Sequence, residues 1–117
     1  MKDKITINEK DYFISSSAWT AIKYKNDYGR SLLSDLNSIS DIRAELENGK
    51  VEDIDNLTNI ILRITYTLIT EADSKQVGSY EDFLKSISSI YDNTDWILKV
   101  IEVATFPILG KNLGNKA

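Results

Sequence analysis

The sequence predicts a mainly α-helical protein of the α+β class, in which an N-terminal β-hairpin is followed by about five or six helices packed as one small bundle. Two short β-rich runs lie within residues 1–14, and most of the remaining chain carries apolar residues at the three-and-four spacing of helices. No Pro-, Gly- or Ser-rich stretch divides the 117 residues. We therefore expect one domain over residues 1–109 and a flexible polar tail over residues 110–117.

The hairpin is predicted from residues 4–7 and 12–14, which favour strands, and from the turn-prone residues 8–11 between them. Because successive side chains in a strand point to opposite faces, one face of the hairpin collects apolar residues. These residues are Ile5, Ile7, Tyr12 and Ile14. Since an isolated hairpin is marginally stable, this face must cover a core.

Three helices are predicted next. The first begins after capping serines at 15–17, carries Trp19 and Ile22 on its apolar side, and ends at Gly29. Two short helices follow over residues 31–39 and 40–48, with Gly49 as the stop. Residues 50–53 then form a polar linker, which we expect to be the most mobile loop inside the domain.

The strongest helical pattern covers residues 55–71, where apolar side chains occupy more than one stripe. A helix of this kind packs on several sides, so it should be the central element. The alternative is a strand within residues 64–70, which are rich in β-branched side chains.

Two further helices complete the prediction. After a polar connection over residues 72–78, Ser79 caps a helix that starts at Tyr80 and reaches about Tyr91. The last helix starts at residue 95, places Trp96 in the core and ends near Pro107.

The composition excludes several classes of function. The chain has no cysteine and no histidine, which removes disulfides, thiolate nucleophiles, the commonest zinc ligands and the usual general base. A formal net charge of -4 has the wrong sign for a protein that binds nucleic acid through phosphates. No apolar run approaches the roughly 20 residues that span a bilayer, and no signal peptide is evident. We expect a cytoplasmic protein that contacts neither nucleic acid nor membrane.

The search for chemistry yields no phosphate loop, nucleophile elbow, calcium loop or metal-binding helix motif, so we expect no enzymatic activity and no cofactor. The densest acidic region contains Glu45, Glu47, Glu52, Asp53 and Asp55. A cation site is one interpretation of it. A solvated face and loop is the favoured one, because the ligand order of a calcium loop is missing.

The aromatic residues are interpreted mainly as core. A stacking platform or ligand cage is the competing interpretation. Tyr24 and Tyr28 lie four residues apart beside Lys25 and Arg30, so a second alternative is that one of the two tyrosines is exposed to a partner.

Four pieces of sequence, in this order, carry a resemblance: ITINEKDY at residues 5–12, YGRSLL at 28–33, SYEDFL at 79–84 and DWILKVIE at 95–102. Together they cover the hairpin, the end of the first helix and the starts of the last two. The succession resembles the tail assembly chaperones of siphophages and related prophages of Gram-positive bacteria. It covers nearly the whole chain, although the turn lacks the Asn-Gly or Gly-Lys that would sharpen the match.

The resemblance implies a protein that coats the phage tape measure protein before the tail tube polymerises, in the cytoplasm of the bacterial host, and that is absent from the mature virion. Tail tube protein and a longer, frameshifted form of the chain are further implied partners, and a chain that ends in a short tail matches the unshifted form. Self-association is expected as well, because an apolar surface that holds a partner can also stack copies of itself.

Holding apolar helical segments requires an exposed apolar groove. The candidate groove residues are the apolar ones left over after a single core is packed. They are Leu62, Ile69, Ile108 and Leu109. The competing interpretation of each is ordinary core or self-association surface.

Two other functions compete with the chaperone. One is a small acidic phage protein that regulates or inhibits a host protein. The other is a carboxylate-metal enzyme, which depends on the acidic region over residues 45–55.

Overall fold

The hairpin predicted at the N-terminus is present in the computed structural model. This structure describes the backbone of residues 1–47 and 54–110, and the side chains of all of these except residues 42–47. Strand β1 (Lys2–Ile7) pairs antiparallel with β2 (Lys10–Ser15), and Ile7 lies opposite Lys10. The two-residue turn consists of Asn8 and Glu9, both with positive φ. Such a turn matches the right-handed twist of the strands, which fixes their register.

The predicted apolar face of the hairpin is confirmed. Its buried side chains are Ile5, Ile7, Tyr12 and Ile14. This face packs on helix α3 (Ile54–Ala72), mainly through β2, while β1 contacts the last helix. The alternate side chains, such as Lys4 and Phe13, face away from the core.

Helix α1 (Ala18–Tyr28) has the predicted ends. Ser17 and Thr20 form a reciprocal capping box, and Gly29 closes the helix in the left-handed conformation with φ of 67°. The predicted apolar face is wrong, because Thr20 and Tyr24 are the buried residues and Trp19 points outward. Thr20 and Tyr24 can be buried because other side chains satisfy their hydroxyl groups.

Helix α2 (Leu32–Glu47) is continuous, so the prediction of two short helices over residues 31–39 and 40–48 is wrong. Ser38, next to the predicted break, donates its hydroxyl to the carbonyl of Ser34 at 3.0 Å, a bond that is made within a helix. The stop at Gly49 and the linker over residues 50–53 lie outside the described residues.

Helix α3 is the central element, as predicted, with nine of its 19 side chains buried. It contacts the hairpin and all four other described helices. Residues 64–70 are helical throughout, so the strand alternative is wrong. The hydroxyl groups of Thr65, Thr67 and Thr70 each donate to the carbonyl four residues earlier, at distances of 2.7, 2.9 and 3.0 Å. The threonines are thereby satisfied within the helix.

A short 3-10 helix (Ser74–Gln76) leads to α4 (Tyr80–Ser86), which Ser79 caps as predicted. Helix α4 ends at Ser86 rather than near Tyr91. The Asn8 side chain accounts for this early end, because its amide oxygen accepts from the backbone N–H groups of Ser88 and Ser89. Backbone groups that would continue the helix are bound to the hairpin turn instead.

Helix α5 (Asp95–Leu109) continues past the predicted end at Pro107 and stops at Gly110, which is left-handed. Pro107 lacks the N–H that would bond to the carbonyl of Val103, and a proline ring crowds that carbonyl, yet the helix continues for two residues beyond it. Trp96 is buried, as predicted. The buried side chains of the hairpin and of α1 to α5 form one apolar cluster. None of the helices described over residues 1–47 and 54–110 has the length and apolar character needed to cross a membrane.

Candidate protein-binding surface

The four candidate groove residues divide between core and surface. Leu62 is 7% exposed and Ile69 is fully buried, so both belong to the core around α3. Their burial removes them from any exposed groove. Ile108 is partly buried against the same core, and Leu109 is 48% exposed at the end of α5. Only this last pair can contribute to an external surface.

Most of the large apolar side chains that are exposed in the structure are not predicted from the sequence as candidate binding residues. In the described residues they are Phe13, Trp19, Ile22, Leu33, Tyr91, Leu98, Phe106 and Leu109. Helices α1 and α5, which pack against each other, carry five of these eight residues. Each of the two helices therefore has an outward apolar face.

The outward residues of α1 are Trp19 and Ile22, with 51% and 53% of their surface exposed. They lie three residues apart and so occupy neighbouring positions on one helix face. Tryptophan is the side chain most enriched at the energetic centres of protein interfaces. An exposed Trp-Ile pair on a helix is therefore a candidate contact for a protein partner.

The outward residues of α5 extend along the helix. Leu98 and Leu109 are separated by three helical turns and lie on nearly the same face, and Phe106 lies beside them. Near Leu98, an apolar groove of about 260 Å³ separates α5 from α2 and α3. Its walls include Ile39, Leu57 and Ile101.

Asp35 on α2 is a charged residue buried in the described part of the fold, and its side chain is 2% exposed. Arg30 binds it through two nitrogens, with the shortest contact of 2.7 Å from Nη2 to Oδ1. Tyr24 donates its hydroxyl to the same carboxylate, and Arg63 lies 3.8 Å from it. Three helices, α1, α2 and α3, therefore meet at one carboxylate.

Burial alone would raise the pKa of Asp35, but hydrogen bonds from Arg30 and Tyr24, with the charges of both arginines, hold it below its usual value. Burial raises the pKa of the Tyr24 phenol, and its bond to Asp35 raises it further. Both groups are thus held in their ordinary charge states near neutral pH. The carboxylate of Asp35 therefore joins α1, α2 and α3 through hydrogen bonds and ion pairs.

The aromatic residues form a chain of ring contacts inside the fold. Successive centroids lie 5.1 to 6.0 Å apart along Tyr24, Tyr28, Tyr80, Tyr66, Phe83 and Tyr12. Tyr24 is fully buried and Tyr28 partly buried, so these rings favour core packing over a stacking platform. Burial raises the pKa of Tyr28 to about 12.

The acidic region over residues 45–55 lies largely outside the described side chains, and only Asp55 can be located, as an exposed residue at the start of α3. Within the described part of the chain, no three acidic side chains come close enough together to hold a metal ion.

Two features of the site differ from what the sequence predicts or are not predicted from it. Asp35 shares a helix face with Leu32, Leu36 and Ile39, and a charged residue in such an apolar stripe is a usable signal of a buried ion pair. The outward direction of Trp19 has no comparable signal, because it depends on the hydroxyl partners of Thr20 and Tyr24.

Comparison of the chain with protein-family models, with curated proteins and with solved structures gave no significant match. Its function is therefore proposed from its own residues and from the resemblance of its sequence.

Proposed function

We propose that this chain is a tail assembly chaperone of a long-tailed bacteriophage, which holds apolar helical segments of the tape measure protein during tail assembly. The observation that carries the proposal is the pair of outward apolar faces on α1 and α5. The ordered sequence resemblance supplies the choice of partner.

The outward faces of α1 and α5 leave apolar side chains in contact with water. Five large apolar side chains on these faces are each about half exposed. They are Trp19, Ile22, Leu98, Phe106 and Leu109. Burying such side chains against a partner gains roughly 25 cal/mol per Å² of apolar surface. An amphipathic or apolar helix suits these faces, because its own anchors recur at the same three-and-four spacing.

The charge of the chain supports the same role. A net charge of -4 keeps a protein that carries exposed apolar side chains soluble and disfavours nonspecific binding to nucleic acid.

The proposal is tested by co-expressing the chain with overlapping fragments of the tape measure protein encoded in the same genome. Size-exclusion chromatography with light scattering then gives the mass of any complex. We expect a stable complex with several copies of the chain on one fragment. Separate elution of folded chain and folded fragments would reject the chaperone, and recovery of one host protein at fixed stoichiometry from lysate would favour the regulatory alternative.

A further inference from the structure

The Gln76 side chain binds the backbone of β2 as a neighbouring strand would. Its Oε1 accepts from the N–H of Phe13 at 2.7 Å, and its Nε2 donates to the carbonyl of Phe13 at 2.9 Å. The same Nε2 also donates to the carbonyl of Ile69 at the end of α3, at 3.1 Å. One amide thus joins the hairpin to the central helix.

The register of the hairpin shows that this contact closes a sheet edge. Ile7 and Lys10 flank the two-residue turn as a hydrogen-bonded pair, so the pair of Lys4 and Phe13 is a non-hydrogen-bonded one. The N–H and C=O of Phe13 therefore point away from β1. They are the groups that a third strand would use, and Gln76 occupies both.

The opposite edge is closed in a different way. On β1, the outward N–H of Lys4 donates to the Asp3 carboxylate at 2.7 Å, and its carbonyl accepts from Lys99 at 3.3 Å. Helix α5, which carries Lys99, packs along this strand. Exposed strand edges invite pairing with other chains, and proteins block them with side chains or covering elements. The β1 edge is covered by a helix, whereas the β2 edge depends on Gln76.

Open space flanks Gln76 on both sides along β2. A cleft of about 460 Å³ lies toward Ser15, between β2 and the end of α3, where the carboxylates of Asp3, Glu71 and Asp73 outnumber the single cation, Lys2. A second cleft, of about 320 Å³, lies toward Lys10, where Lys10 and Lys75 outnumber the single carboxylate, Asp82. One end of the edge is therefore net acidic and the other net basic.

We propose that Gln76 closes a strand-docking edge, and that the partner accepted by this edge once Gln76 is removed is β2 of a second copy of the chain. Antiparallel pairing about a two-fold axis at Phe13 places Lys10 of the second copy at the acidic end, beside Glu71 and Asp73. The charges at the two ends are thus complementary to the same strand running in the opposite direction.

The position of Phe13 supports the same partner. Its ring is 63% exposed, the most exposed of the large apolar side chains described. In the two-fold pairing the two Phe13 rings lie directly opposite each other, and cross-strand aromatic pairs contribute to sheet stability. The hairpin edge is therefore self-complementary in hydrogen bonding and in net charge.

The experiment compares the mass of the wild-type chain with that of Gln76→Ala over a range of concentrations, using sedimentation equilibrium. Ser74→Ala is the matched control, since Ser74 lies on the same 3-10 helix and lines neither cleft. We expect Gln76→Ala to show concentration-dependent association beyond that of the wild type and of Ser74→Ala. Equal association of all three proteins would overturn the proposal.

A second variant shows whether the edge itself is responsible. Adding Phe13→Pro to Gln76→Ala removes the outward N–H without removing a bond of the hairpin ladder, so the added association should disappear. Adding Phe13→Ser removes the ring but keeps the edge, so part of the association should persist. Association that survives Phe13→Pro unchanged would overturn the proposal.

Hydrogen exchange tests the closed edge in the wild-type chain and requires no variant. The amide of Phe13 should exchange on the order of tenfold more slowly than that of Asp11, which points outward in the same register. Equal exchange rates at the two positions would contradict closure of the edge by Gln76.

Discussion

Arg30 forms a two-nitrogen ion pair with Asp35, with Nε 2.9 Å from Oδ2 and Nη2 2.7 Å from Oδ1. Arg30 follows the glycine that ends α1, and Asp35 lies in the first turn of α2. The ion pair therefore holds the connection between two helices and fixes the angle at which α2 leaves α1. Tyr24 and Arg63 extend the same contact to the centre of the fold.

Replacing Asp35 with asparagine should lower the free energy of unfolding by about 3 kcal/mol, because loss of the buried carboxylate leaves Arg63 and the Tyr24 hydroxyl without their charged partner. Urea unfolding followed by circular dichroism measures the change. Asp41→Asn is the matched control, since Asp41 is exposed on the same helix, and it should change stability by less than about 0.5 kcal/mol. Equal effects of the two substitutions would show that the buried network does not stabilise the fold.

The contribution of Asp35 should also depend on pH. The folded state lowers the pKa of Asp35, so its stabilising effect is present above the pKa of the unfolded chain, about 3.9, and is lost as pH falls through the lower folded value. Unfolding curves of the wild type and of Asp35→Asn should therefore differ at neutral pH and converge in strong acid. A stability difference that stays constant down to pH 2 would contradict this assignment.

The hairpin turn offers a stabilising substitution. Glu9 has φ of 72°, a conformation that costs side chains with a Cβ atom but not glycine. Glu9→Gly should raise the free energy of unfolding by about 0.5 to 1 kcal/mol. Asn8→Gly is the contrasting variant. It should destabilise the protein, because glycine loses the bonds that the Asn8 side chain makes to Ser88 and Ser89.

Substitution of buried apolar residues should lower the stability of the protein much more than substitution of exposed apolar residues does. Leu62→Ala and Ile69→Ala should each cost about 2 to 5 kcal/mol of stability, because both side chains are buried around α3. Trp19→Ser and Ile22→Ser should change stability by less than about 0.5 kcal/mol. Thermal unfolding of the four variants measures the difference. A large loss of stability in Trp19→Ser would mean that its ring belongs to the core.

Features that depend on nearby residues could be predicted from the sequence. The hairpin face, the cap of α4 at Ser79 and the end of α1 at Gly29 each follow from side chains within a few positions. Features set by distant partners could not. The end of α4 depends on Asn8, which lies about 80 residues earlier in the chain.

The candidate surface was harder to predict for a related reason. A single core-facing stripe on α3 predicts that Leu62 and Ile69 are left over for a groove, but α3 is packed on several sides and buries both. Apolar character predicts that Trp19 is in the core, whereas Thr20 and Tyr24 occupy the buried face because other side chains bond to their hydroxyl groups. Apolar patterning alone misses polar side chains that are buried with partners.

Binding of a tape measure fragment by surface variants tests the central proposal most directly. Titration calorimetry would use the fragment that co-purifies best and would compare the wild-type chain with the double variant Trp19→Ser with Ile22→Ser. Phe13→Ser, an exposed apolar residue on the hairpin, is the matched control. We predict that the double variant weakens binding by about 2 kcal/mol, roughly 30-fold in Kd, while the control binds as the wild type does. Equal affinity of all three proteins would contradict a role for the outward face of α1 in holding a client.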